Sequence, residues 1–266
     1  MSLRLTILGC GSSAGVPRVG QGWGACDPAN PLNRRRRCSA LIERVGAKGA
    51  TTILVDTSPD LREQLIDAGV KRLDAVLMTH EHADHTHGID DLRPLVLMAR
   101  RRIDLHMDEP TSLNVRSKFS YIFETPAGSS YPPIATDLRL TAGASCRIEG
   151  AGGAVDALPF DLDHGDISAL GYRFGALAYT PDVKRIPGAS RGYLERLEVW
   201  IVDDLRYRPH PSHFSLDDAL AEIEAVRPRR AILTNLHVDL DYETVRRRLP
   251  PHVVPAHDGM RVEGFD

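Results

Sequence analysis

The chain has 266 residues, 42% of them hydrophobic and 26% charged, with a formal net charge of −3; this holds one large domain or two modest ones around a buried core and argues against a generic nucleic-acid-binding face. Its four cysteines do not make a disulfide framework. No apolar run reaches the roughly 18 residues of a membrane span, and the apolar stretch in residues 1–9 is too short for a signal peptide, so a reducing cytoplasm is the expected compartment.

In chain order, residues 4–8 alternate weakly and run into Gly9, Gly11 and Gly15, which predicts a strand entering a glycine-rich loop. Residues 40–44 and 52–55 read as strands. Residues 59–68 read as a helix: Pro59 suits a first turn, Leu61, Leu65 and Ile66 share a face, and Gly69 stops it. A short apolar strand at 73–78 leads into the polar run 79–87, followed by a helix at 92–101 and a strand at 103–107. Residues 108–150 combine a helix at 111–118 with the Pro/Gly-rich stretch 125–133 and read as an insertion or lid. Strands are expected at 154–160, 169–174, 176–179, 199–202, 230–234 and 260–263, with helices at 216–225 and 242–249. Strands cluster in each half with helices between and after, so the fold class is α/β with two sheets covered by helices. No composition break or internal repeat divides the chain, and residues 1–266 read as a single domain.

Histidine is plentiful, at 11 residues, and its placement carries the chemistry. His80, His82, Asp84 and His85 fall within the segment Thr79-His80-Glu81-His82-Ala83-Asp84-His85. A helix would place His80 and His82 on different faces. A loop leaving a strand can curl so that all four converge. Imidazole nitrogen and carboxylate oxygen suit Zn2+, Mn2+ or Fe2+.

This segment resembles the H-x-H-x-D-H signature of the metallo-β-lactamase superfamily. The resemblance covers nearly the whole chain and implies a four-layer αββα sandwich with a metal site at one edge of its two sheets. It also calls for a later His, a bridging Asp and a final His, each at a strand end. His164, Asp182 and His237 occur in that order after expected strands. By this resemblance His80, His82 and His164 hold one metal, Asp84, His85 and His237 hold a second, and Asp182 bridges them. The implied cofactors are two divalent ions, Mn or Zn, that share an activated water.

The opening Leu8-Gly9-Cys10-Gly11-Ser12-Ser13-Ala14-Gly15-Val16-Pro17 resembles a phosphodiesterase branch of that superfamily. The branch includes the phosphoribosyl 1,2-cyclic phosphate phosphodiesterases and, more distantly, the 3′-tRNA-processing ribonucleases. Its usual Cys-x-Cys-x-x-Cys zinc loop is reduced here to Cys26, with Cys38 beyond it, so a structural zinc is not expected. Residues 34–37 are consecutive arginines, of which at most one or two can face one ligand. His213, in His210-Pro211-Ser212-His213-Phe214-Ser215, resembles the family's phosphate-contacting histidine ahead of a helix. Ser215 reads as that helix's N-cap, with Asp218 completing a near capping box. Ser13 and Arg37 join His213 as candidate substrate contacts. Asp84 is a second catalytic candidate, as a proton acceptor. Asp203 and Asp204, at a strand end, are candidates to orient metal-binding histidines.

These readings predict a dinuclear-metal phosphodiesterase acting on a small cyclic phosphodiester, a cyclic ribose phosphate or nucleotide. His213 then donates to the departing oxygen or holds the phosphate. The alternatives are a tRNA 3′-processing-type endoribonuclease, a thiolester or lactone hydrolase, and a non-catalytic metal- or nucleotide-binding protein. Sparse basic residues in 108–150 argue against an RNA-docking arm. The expected partner is therefore a small-molecule phosphodiester or nucleotide, with neither nucleic acid nor membrane, and the resemblance allows a homodimer.

Overall fold

Strands that are apolar on both faces need cover on both sides. The protein, in a computed structural model that describes residues 2–265, provides it by stacking two seven-stranded sheets. The first sheet takes β1 (Ser2–Gly9), β2 (Ser39–Gly46), β3 (Gly49–Val55), β4 (Ala75–Leu77), β5 (Ile103–Met107) and β6 (Ala135–Arg139). The second takes β7 (Cys146–Ile148), β8 (Val155–His164), β9 (Ile167–Phe174), β10 (Leu177–Thr180), β11 (Val199–Asp203), β12 (Arg230–Thr234) and β13 (Val253–Pro255). β14 (Arg261–Glu263) then returns to pair antiparallel with β1. Both sheets follow one plan. β1 to β3 pair antiparallel and β3 to β6 parallel. β7 to β10 pair antiparallel and β10 to β13 parallel.

The helices are α1 (Leu61–Asp67), α2 (Ala83–Thr86), α3 (Arg93–Ala99), α4 (Glu109–Lys118), α5 (Leu216–Val226) and α6 (Tyr242–Arg246). Side-chain alternation along each strand sorts residues into layers. Ile42, Ile53 and Val55 of the first sheet meet Tyr172, Tyr179 and Ile201 of the second in the central core. Their neighbours Leu41 and Leu54 point the other way, against Leu61, Leu65, Val96 and Val115 of α1, α3 and α4. Trp200 and Val202 pack outward against Leu216, Ala219 and Ile223 of α5. The result is the expected αββα sandwich.

Residues 108–150 correct the expectation of an insertion or lid. They supply α4 and the edge strands β6 and β7, one in each sheet. Short strands with exposed positions carry too weak an alternation to be read beforehand, and the same holds for the three-residue β13. α1 begins at Leu61 rather than at Pro59, after a turn in which Leu61 N–H donates to the Ser58 carbonyl at 2.9 Å. Among the described residues no helix is long and apolar enough to cross a membrane.

Candidate metal centre

The site gathers at the C-terminal ends of strands, where open α/β sheets commonly bind ligands. Asp56 follows β3, His80 lies just beyond β4, and His164 ends β8. Asp182 lies beyond β10, Asp203 ends β11, and Asn235 follows β12. The segment after His80 folds into the single turn α2, with His82 at its N-cap, so His85 turns back to face His80 at a ring separation of 4.3 Å. Asp56 and Asn235 adopt left-handed backbone with φ of 63° and 62°. Asp and Asn tolerate this conformation better than most residues.

Hydrogen bonds decide where the imidazole protons sit. Thr79 Oγ1 donates to Asp56 Oδ2 at 2.8 Å, so it accepts from His80 Nδ1 at 2.9 Å. His85 Nδ1 donates to the same Asp56 oxygen at 2.8 Å. His164 Nδ1 donates to the Ser212 carbonyl at 2.7 Å. Each ring therefore keeps an Nε2 lone pair for the centre, which is how metal-binding histidines are usually oriented. His80 Nε2 and His164 Nε2 lie 3.0 and 3.3 Å from His82 Nδ1.

Three donor groups result: His80, His82 and His164; His80, His85 and Asp182; and His164, Asp182 and His213. Within each group the donor atoms lie within 4.8 Å of one another. His85 Nε2 and Asp182 Oδ1 are 3.1 Å apart, yet both are buried without a hydrogen bond of good geometry. Two orphaned donor atoms aimed at one point, among nitrogen and carboxylate ligands, fit a divalent cation. The electrostatics agree. Burial holds the His80 pKa well below the usual histidine value. Burial opposes charge on His85 too, but Asp182, Asp56 and Asp84 outweigh it and raise its pKa well above that value. A metal and a proton compete for that same position.

His213 sits beside this cluster, 4.6 Å from His164 between ring centroids. Its Nδ1 is 2.8 Å from Asp203 Oδ2 and 3.7 Å from Asp182 Oδ2. Burial lowers its pKa, but Asp203 and Asp182 overcome that and raise it to about 9. Asn235 donates its amide to Asp203 Oδ1 at 3.1 Å. His210, 5.1 Å from His213, is lowered to about 4 by burial and by the neighbouring His213 and Arg206 charges. Of the strand-end pair, Asp203 orients a histidine. Asp204 does not: its carboxylate is buried without a hydrogen bond, and burial raises its pKa well above the usual range.

The expected ligand His237 belongs to none of the donor groups and needs correction. Its Nδ1 is 2.6 Å from Asp239 Oδ1 and its Nε2 is 2.6 Å from Arg18 Nη1, so both ring nitrogens are engaged. Asn235, two residues earlier, contacts Asp203 and His213 beside the cluster. Asp84 Oδ2 lies 3.6 Å from His85 Nε2, at the edge of the cluster. Ser13 is exposed on the glycine-rich loop. Arg37 is paired with Asp60 at 3.0 Å, and Arg36 with Asp258 and Asp67, so the arginine run is largely engaged within the protein. The glycine-rich opening has a packing cause as well: a Cβ on Gly9 would lie 2.1 Å from the Arg37 carbonyl oxygen. Cys26 is buried with Val16 and Val238 against Trp23, and apolar packing holds this stretch.

Sequence reasoning missed Asp56, Thr79 and Asn235. An Asp following an apolar strand and a Thr preceding the motif were the only signals, and neither is specific.

Residues 51–235 match the family model described as a β-lactamase superfamily domain. The chain is 32% identical over 261 residues to an octanoyltransferase of Porphyromonas gingivalis; the match covers 97% of this chain and 51% of that protein, so the chain spans about half the length of this relative. It is 34% identical to a solved diphosphatase of the PhnP family, with a TM-score of 0.88 over 99% of this chain and 98% of that one. Zn2+-bound PqqB of Methylobacterium extorquens shares the fold, at 16% identity and a TM-score of 0.74, over 97% of this chain and 99% of that one. The chain belongs to the metallo-β-lactamase superfamily and, within it, to the PhnP family.

Proposed function

We propose that the chain is a metal-dependent hydrolase that cleaves small cyclic phosphodiesters of the ribose phosphate or nucleotide class. The carrying observation is the set of Nε2 lone pairs on His80, His85 and His164, each fixed by a bond at Nδ1, converging with His82 and Asp182. The likeness to a PhnP-family diphosphatase supports phosphoester chemistry. His80, His82 and His164 would hold one metal. His85, with Asp84 at its side, would hold a second, and Asp182 faces both positions. Bound there, Mn2+ or Zn2+ supplies Lewis acidity and a water whose pKa is lowered toward neutrality.

The chain's own residues do the rest. Asp56 and Thr79 set the rings of His80 and His85. Asp203 holds the Nδ1 proton of His213, and at neutral pH the ring is cationic, since its pKa is about 9. Its Nε2–H is then a donor for a phosphate oxygen or for the departing alkoxide. Asp84, less enclosed than Asp182 and 3.6 Å from His85 Nε2, would accept a proton from attacking water.

A side-by-side assay tests this reading. The metal-loaded protein is offered adenosine 2′,3′-cyclic phosphate, a linear nucleotide diphosphate diester and the thiolester S-lactoylglutathione. Turnover of the cyclic ester supports the proposal. Preference for the diphosphate would place the chain beside its PhnP-family relative, and preference for the thiolester would overturn phosphoester chemistry.

A further inference from the structure

At the opposite end of β4 from His80, the loop before that strand, the C-terminal half of α3 and the start of β5 enclose a cleft of about 360 Å³. Its floor is apolar: Leu73, Val96 and Ile103 are buried beneath it. Its rim is cationic, because Arg72, Arg101 and Arg102 line it and all three are exposed.

The sequence of α3 builds this arrangement. Val96 and Ala99 are three residues apart, so they share the helix face that lines the cleft. Arg100 then ends the helix in left-handed backbone, with φ of 51°, and Arg101 and Arg102 follow before β5.

The charges in the cleft do not balance. Among the described residues no carboxylate lines it. Asp74, beside Leu73 in the chain, is buried and already engaged: Oδ1 accepts from Arg72 Nη2 at 2.8 Å and Oδ2 from Thr52 N–H at 2.9 Å. Arg101 Nη2 donates only to the Asp74 carbonyl, at 3.2 Å. Arg102 makes no hydrogen bond or ion pair among the described residues. A guanidinium fork matches a carboxylate through two parallel N–H bonds. An apolar cavity of this size with a few convergent polar groups is the usual form of a small-molecule site. A bare anion would leave the floor in water, and a neutral apolar molecule would leave the arginines without a counter-charge.

We propose that this cleft is a binding site, separate from the metal centre, for a small amphiphilic carboxylate. The apolar body lies against Leu73, Val96 and Ile103, and the carboxylate meets Arg102 and Arg101.

Calorimetric titration of the metal-loaded full chain tests this with three probes. Hexanoate has both parts, 1-hexanol has the same body without the charge, and acetate has the charge on a body four methylenes shorter. Losing a charge-assisted hydrogen bond costs about tenfold or more in affinity, and each methylene taken from water is worth about fourfold. Hexanoate should therefore bind about tenfold or more tightly than either of the others. Arg102→Glu should erase the preference for hexanoate over 1-hexanol and leave 1-hexanol binding unchanged, which also shows the cleft intact. Ala99→Trp, which fills the cleft from an exposed helix position, should abolish binding of both. The preference should persist after the metals are removed by chelation. No binding of hexanoate, equal affinities for the three probes, a preference that survives in either variant, or one that disappears with the metals would overturn the site.

Discussion

His213 Nδ1 and Asp203 Oδ2 are 2.8 Å apart, and Asn235 braces the other oxygen of the same carboxylate from 3.1 Å. This pair makes His213 a fixed cation beside the donor cluster. Asp203→Asn removes the charge and keeps the shape. We expect turnover of a cyclic phosphodiester to fall about 10- to 100-fold, the usual cost of losing such an orienting carboxylate, with bound metal unchanged. Steady-state kinetics and metal analysis on one sample check this; loss of metal with turnover would assign Asp203 to the metal positions instead.

Asp56 works from the other side of the site. It accepts from both Thr79 and His85, and it is fully buried. Asp56→Asn should weaken metal binding about 10- to 100-fold. Competition with a chromogenic chelator measures that. Unaltered affinity would mean that the His85 ring is held by packing alone.

His237→Ala and His164→Ala should differ in metal content. His164 points its Nε2 at the cluster, whereas both nitrogens of His237 are taken by Asp239 and Arg18. Metal analysis should show a loss for His164→Ala and a wild-type ratio for His237→Ala. Equal losses would restore His237 as a ligand.

Stability has a separate acidic anchor in Asp241, the N-cap of α6. Its carboxylate accepts from Thr244 N–H at 3.0 Å and from the Asn33 amide at 2.7 Å. Partial burial pushes its pKa up, but these hydrogen bonds prevail and lower it to about 2. A carboxylate depressed in the folded state stabilises fully above its unfolded pKa, near 4, and loses that contribution as pH falls toward about 2. Solvent screening keeps the charge contribution small at this exposed position, so the cap itself sets the scale. Asp241→Ala should cost about 1 kcal/mol at pH 7, with the gap to wild type closing below about pH 4. Urea unfolding at the two pH values decides it; a gap independent of pH would remove the charge from the account.

The sandwich and most of the donor cluster were legible because both are written locally. The alternation along β8 and the short apolar run of β11 announce strands by pattern, and His80, His82 and His85 fall within six residues of the chain. His164 and Asp182 were picked out through the resemblance, which calls for a His and then an Asp after successive strands. His237 misled for a physical reason: its ring direction depends on Asp239 two residues on and on Arg18 at the far end of the sequence. Asp56 and Asn235 were invisible because their importance comes from backbone turned left-handed at a strand end, which no spacing reveals. The edge strands β6 and β7 were lost among prolines and glycines and taken for a lid.

The most direct test strips the protein with a chelator, returns Mn2+ or Zn2+ in steps, and follows hydrolysis of adenosine 2′,3′-cyclic phosphate against metal bound on the same samples. The account predicts no turnover in the stripped protein, recovery in proportion to metal bound, and neither full binding nor recovery in His82→Ala or Asp182→Ala. Hydrolysis undiminished by stripping, or metal bound at the cluster with no hydrolysis of the ester, would contradict it.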